Sequence, residues 1–125
     1  MILVDTSVWV AHFRETVPLL SELLTKNQVL MHPSIVGELA CGMLPRRVHV
    51  LRWLHRIPTV AIANDIEVLT LIDQKRLWGT GIGWVDAHLL AAGLISGSEL
   101  WTLDQRLQAA AERLGLAFSG NDLVQ

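Results

Sequence analysis

At 125 residues the chain has room for one domain built around one core. Hydrophobic residues make up 51% and mean hydropathy is +0.40, yet no apolar run reaches the roughly 18 residues that span a bilayer, which excludes a membrane helix of the usual kind. A formal net charge of -2 counts against a sequence-independent nucleic-acid binder, which is usually basic overall, although four of the ten basic residues gather between Arg46 and Arg56.

The elements alternate along the chain. Ile2 to Val4 reads as a short buried strand, followed by helical stretches over Thr6–Phe13 and Val17–Thr25. A second strand is expected at Val29–Met31. A helix follows over Pro33–Met43, capped near His32 or Ser34 with Pro33 in the first turn, where proline is tolerated. Pro45 interrupts the pattern, and Val48, Leu51, Trp53 and Leu54 suggest a helix that carries the basic residues. Ile57–Ile62 reads as a third strand, with Pro58 placing it near an edge.

Asn64 or Asp65 caps a helix whose apolar positions are Ile66, Leu69, Ile72 and Leu77. Gly79–Gly83 is a glycine-rich loop. Trp84–Ile95 forms a helix with Val85, Leu89, Leu90 and Leu94 on one side, Leu100–Leu103 a strand, Asp104–Leu114 a helix closed by Gly115, and Leu116–Phe118 a last strand. Such alternation predicts an α/β fold: a central, mostly parallel sheet of four to five strands with helices on both faces, in three layers, spanning residues 1–125 as a single domain. Cys41 stands alone, so no internal disulfide forms; a small core residue is expected there, in a reducing cytoplasm. The first ten residues lack the basic start and small-residue cleavage site of a signal peptide. The five tryptophans are expected mainly in the core.

In a parallel sheet the functional crevice lies beyond the carboxyl ends of the strands, and the acids fall there. Asp5 ends the first strand and Asp104 the fourth. Asp86 shares the inward stripe of its helix with Leu89, Leu90, Gly93 and Leu94, and Glu38 lies beside the stripe of Ile35, Leu39 and Met43. Each has a simpler reading: Asp104 and Asp5 as helix caps, Asp86 as a first-turn acid favoured by the helix dipole, Glu38 as a flank residue. Four carboxylates converging at one edge would repel and take up protons unless a cation sat among them. All-oxygen ligands suit Mg²⁺ or Mn²⁺, and a carboxylate-held cation of this kind points to phosphodiester hydrolysis. A phosphatase with an Asp-x-Asp signature is excluded by Ser7 at the third position. A receiver domain would need a mid-chain Asp and a later Lys that the chain lacks, and Gly79-Thr-Gly-Ile-Gly has the wrong spacing for a dinucleotide loop.

Four stretches in register, Met1-Ile-Leu-Val-Asp-Thr-Ser-Val-Trp-Val, Ser34-Ile-Val-Gly-Glu-Leu, Ile82-Gly-Trp-Val-Asp-Ala-His-Leu-Leu-Ala-Ala and Leu100-Trp-Thr-Leu-Asp-Gln-Arg-Leu, resemble the PIN domain, and more closely the VapC toxins of bacterial VapBC toxin–antitoxin pairs. The resemblance covers essentially the whole chain. It implies a Mg²⁺- or Mn²⁺-dependent endoribonuclease that leaves 5′-phosphate and 3′-hydroxyl ends. Asp5 and Asp86 would be the main metal ligands, Glu38 would orient or deprotonate the water, Asp104 would act directly or through water, and Thr6 and Thr102 would support the shell. It also implies a VapB-type antitoxin that fills an apolar groove, and a homodimer or toxin–antitoxin hetero-oligomer. Arg46, Arg47, Arg52 and Arg56 are candidates for contacting the RNA backbone. Two other readings stay open: a PIN-like binding module with little or no catalysis, and a PIN nuclease without an antitoxin.

Overall fold

The computed structural model describes residues 1–120. Strand β1 (Ile2–Val4) is fully buried and central; β2 (Val29–Leu30) pairs with it on one side and β3 (Glu99–Trp101) on the other, all parallel, in the order β2-β1-β3. Two isolated parallel bridges widen the sheet, Met31 to Thr59 beyond β2 and Leu100 to Ala117 beyond β3. The expected third and last strands are therefore reduced to single bridges. Pro58 lacks an N–H, so it contributes only its carbonyl, which accepts from Met31 N at 2.8 Å, while Val60 N returns a bond to Met31 O at 2.8 Å.

The helices are α1 (Thr6–Arg14), α2 (Pro18–Thr25), α3 (Pro33–Cys41), α4 (Arg47–Leu54), α5 (Asp65–Gln74), α6 (Trp84–Ser96) and α7 (Gln105–Arg113). α1 and α4 pack on α3, whereas α5 packs on α6, which leads into β3. This is the three-layer α/β/α arrangement with a parallel centre. Local signals set most boundaries. His32 accepts from Ser34 N with Pro33 in the first turn of α3, Asn64 and Glu67 close a reciprocal cap on α5, and Gly97 ends α6 at φ +65° in the left-handed region. Gly115, at φ +71°, closes the last turn after α7 as its position in the sequence suggested.

Several expectations are corrected. The fourth strand stops at Trp101, because Thr102 and Leu103 turn away to bond with residues of the β1–α1 junction. The third helix ends at Cys41, leaving Cys41 and Met43 exposed rather than in the core. On α5 the buried positions are Val68 and Leu71; Ile66 and Leu69 face solvent, as does Leu94 on α6. Only Trp9 and Trp101 are core tryptophans, while Trp53, Trp78 and Trp84 are exposed. Helical spacing by itself does not say which of two apolar stripes meets the sheet. Among the described residues no helix is long and apolar enough to cross a membrane.

The α5 cap gives a stability test. Asn64→Ala removes the side-chain arm of the reciprocal cap, in which Asn64 Oδ1 accepts from Glu67 N at 2.8 Å, and leaves the backbone N–H of residue 64 to donate to Glu67 Oε1, at 3.0 Å in the parent. It should cost about 1 kcal/mol in urea unfolding with an unchanged slope.

Candidate active site

Asp5 sits where β1 gives way to α1, and its exposure is only 7%. Its Oδ2 accepts three bonds: from Ser7 Oγ at 2.6 Å, from Thr102 Oγ1 at 2.8 Å and from Ser7 N at 3.3 Å. Both hydroxyls spend their proton on that oxygen, so each is left to accept. Ser7 Oγ accepts from Leu103 N at 3.0 Å, and Thr102 Oγ1 from Asp104 N at 3.0 Å. One carboxylate oxygen thus ties the β1–α1 junction to the β3–α7 junction, 95 or more residues apart in sequence.

The other acids are held in the same manner, by neutral donors. Glu38 on α3 accepts from Thr6 Oγ1 through Oε1 at 2.7 Å. Asp86 accepts from Gly83 N through Oδ2 at 3.0 Å, capping its own helix. Asp104 accepts from Arg106 N and Leu107 N through Oδ1 at 3.0 and 2.9 Å, capping α7. In all four carboxylates these bonds fall on one oxygen, leaving the second for another partner. None of the four forms an ion pair with Lys or Arg among the described residues.

Asp86 records the consequence. Its carboxyl is pushed above the ordinary aspartate value, first by burial; the Gly83 N–H opposes this, and the charges of Asp5, Asp104 and Glu38 add to the rise. The fold therefore brings Asp5, Glu38 and Asp104 within electrostatic reach of Asp86. It does not close them into a cage: among the described residues no three His, Cys, Asp or Glu side chains are grouped tightly enough to hold a metal ion by themselves. Mg²⁺ does not require such a cage, since it keeps several waters and uses one or two carboxylates. The donors here, carboxylate oxygens with no cationic partner, suit such a hard ion in their chemistry.

The basic residues divide. Arg46 takes a left-handed conformation at φ +49° ahead of α4, and Arg47 donates to Ala40 O at 2.9 Å, so both stay close to the end of α3. Arg56 lines a cleft with Asn27 and Val29, at the amino-terminal edge of the sheet and away from the acids; Arg52 is exposed on the same helix as Trp53. Ser7 is the residue that sequence reasoning missed. Its position two after Asp5 read only as the absence of a second acid, and its acceptor role becomes visible only once Leu103 is folded against it.

The chain belongs to the PIN domain family, whose sequence profile matches residues 2–113. It is 43% identical over 120 residues, 95% of this chain and 97% of the relative, to Ribonuclease VapC32 of Mycobacterium tuberculosis strain CDC 1551 / Oshkosh. The same figures hold for Ribonuclease VapC32 of strain ATCC 25618 / H37Rv.

Two outcomes are expected. Asp86→Asn keeps an acceptor for Gly83 N–H and removes a disfavoured charge, so in chelator it should melt higher than wild type at neutral pH. A raised folded pKa means that ionised Asp86 destabilises the fold, fully so above that pKa. The advantage of the variant should therefore shrink as pH falls towards the ordinary value of 3.8, as paired thermal melts across pH would record. Ser7→Ala leaves Leu103 N without its acceptor and takes one donor from Asp5; a loss of about 1–3 kcal/mol in denaturant unfolding is expected.

Proposed function

We propose that this protein is a Mg²⁺- or Mn²⁺-dependent endoribonuclease, the toxin of a type II toxin–antitoxin pair. The observation that carries the reading is Asp5, a buried carboxylate locked through one oxygen, which with Glu38 and Asp104 lies in electrostatic reach of Asp86 while no Lys or Arg among the described residues pairs with any of the four. The likeness to proteins named Ribonuclease VapC32 supports RNA as the substrate and an antitoxin as the partner.

Asp5 and Asp86 would hold the ion, and Glu38 and Asp104 would act on it directly or through water. When bound, the ion supplies the Lewis acidity that phosphodiester hydrolysis draws on, by neutralising phosphoryl charge and acidifying water. The protein's own part is positional. Ser7 and Thr102 fix the rotamer of Asp5, so its second oxygen has one direction to point. Thr6 aims Glu38, the candidate for receiving the proton of the attacking water. Asp86 is held by the first turn of α6, whose N-terminal amides favour negative charge. Arg46 and Arg47, at the turn after α3, are candidates for positioning the RNA backbone.

An apolar groove of about 370 Å³, lined by Val10, Phe13, Leu39, Met43 and Leu44, runs up to Glu38 and suits a VapB-type antitoxin segment seated beside the acids. The exposed Ile66, Leu69, Leu94 and Ile95 offer a separate face for a homodimer.

Asp5→Asn is the decisive variant. It should fold normally by circular dichroism, lose calorimetric Mn²⁺ binding, and cut RNA at least 100-fold more slowly than wild type. A purified Asp5→Asn protein with wild-type cleavage would overturn the mechanism.

A further inference from the structure

The loop between α5 and α6 carries aromatic surface that neither the fold nor the acids account for. Trp78 is 61% exposed and Trp84 45% exposed. With Leu77, Ile82 and Gly83 they line a cleft of about 170 Å³. Trp84 is anchored: its ring meets His88 edge to face, centroids 4.6 Å apart at 86°, and His88 Nε2 lies 3.3 Å from Asp65 Oδ1. The loop itself is pinned. Gly81, at φ +88°, lies under the stem of Arg106, where a Cβ would come within 2.5 Å of Arg106 Cδ. Arg106 is exposed, makes no ion pair among the described residues, and is held at its backbone by Asp104.

The cleft borders Asp86 through Gly83, which lines it and donates its N–H to Asp86 Oδ2 at 3.0 Å. Charge narrows the choice of occupant. The chain is net acidic and its site is carboxylate-rich, so general attraction for a polyphosphate backbone is weak. Stacking on an aromatic face is the large attractive contribution to nucleic-acid binding that needs no positive field, and every base has a π face to offer. Bases paired in a duplex are not free to enter such a cleft; those of single strands and loops are.

Resting on the ribonuclease reading above, we propose that the Trp78–Trp84 cleft is a nucleobase subsite, which takes one unpaired base of the RNA next to the scissile phosphate while Arg106 meets an adjoining phosphate. Trp84 is the fixed platform and Trp78 the second wall.

The test uses the full chain in an Asp5→Asn background, so that RNA stays intact, with a short unstructured RNA carrying 2-aminopurine as the probe. Base stacking should quench the probe. Trp78→Ala and Trp84→Ala should each weaken binding about 10-fold or more without changing its salt dependence, and Trp78→Phe should restore most of the loss. Arg106→Ala should instead lower the slope of log affinity against log salt by about one. Trp78 is mostly exposed, so its variants should keep the parent melting temperature, and a shared loss of fold would be seen there. Unchanged affinity and quenching in both tryptophan variants would overturn the subsite. So would a Trp78→Ala protein that binds RNA as before but no longer associates with itself or with a co-purified antitoxin, since the cleft would then be a protein interface. A wild-type chain that cuts RNA while the tryptophan variants bind normally removes the subsite alone; a wild-type chain that neither binds nor cuts RNA removes the ribonuclease reading with it.

Discussion

Two hydroxyls, Ser7 Oγ and Thr102 Oγ1, donate to the same oxygen of the buried Asp5, and each accepts a backbone N–H from the turn that follows β3. A buried carboxylate without donors would cost several kcal/mol or take up a proton. These donors make it tolerable, and in the same stroke they staple the end of the central strand to the end of its neighbour. The rest of the site follows from that staple. It ends β3 at Trp101, sets the direction in which α7 leaves the sheet, and brings Asp104 to the same edge as Asp5. Hydroxyls suit the role because each both donates and accepts, which neither a carboxylate nor an alkyl group can do.

Neutral donors hold all four acids, and this choice has an electrostatic consequence. A Lys or Arg partner would have neutralised the crevice and stabilised the fold. Hydroxyls and backbone N–H groups orient the carboxylates but leave their charge in place, and at Asp86 the neighbouring acids add to an upward shift that burial begins. A fold that keeps repulsion at one edge gives up stability there, as functional sites commonly do. The same field disfavours a phosphate backbone, so on the proposed ribonuclease reading the contacts with RNA would come from groups at the rim. The exposed rings of Trp78 and Trp84 and the exposed guanidinium of Arg106 are the groups the proposal assigns to that rim.

The apolar surface is distributed with comparable economy. The groove bordered by Val10, Phe13 and Met43 lies on the α1–α3 side, and the face formed by Ile66, Leu69, Leu94 and Ile95 lies on the α5–α6 side. They belong to the two helical layers on either side of the sheet. Much of the hydrophobicity that composition attributes to a large core is surface of this kind, which monomeric soluble proteins rarely expose in contiguous patches.

Much of this was legible in the residues themselves. Short apolar strands ending in Asp, the proline and asparagine starts of α3 and α5, and the glycine after α7 are local signals, written in a few adjacent residues, and they survive folding almost unchanged. The four acids were likewise visible, because each alone reads as a cap, a first-turn acid or a flank residue, but four converging on one sheet edge do not. What the sequence could not contain was the partner of each group across the sheet. Ser7 reads only as the absence of a second acid until Thr102 and Leu103, far along the chain, are folded against it. Leu69 and Leu94 read as core because helical spacing fixes a stripe but not the surface it meets, and Thr59 and Ala117 shrink from strands to bridges because the length of an edge strand depends on its neighbour. Local chemistry determined the elements and nominated the acids; tertiary packing decided which side chain each acid touches, since those contacts join residues that only the closed sheet brings together.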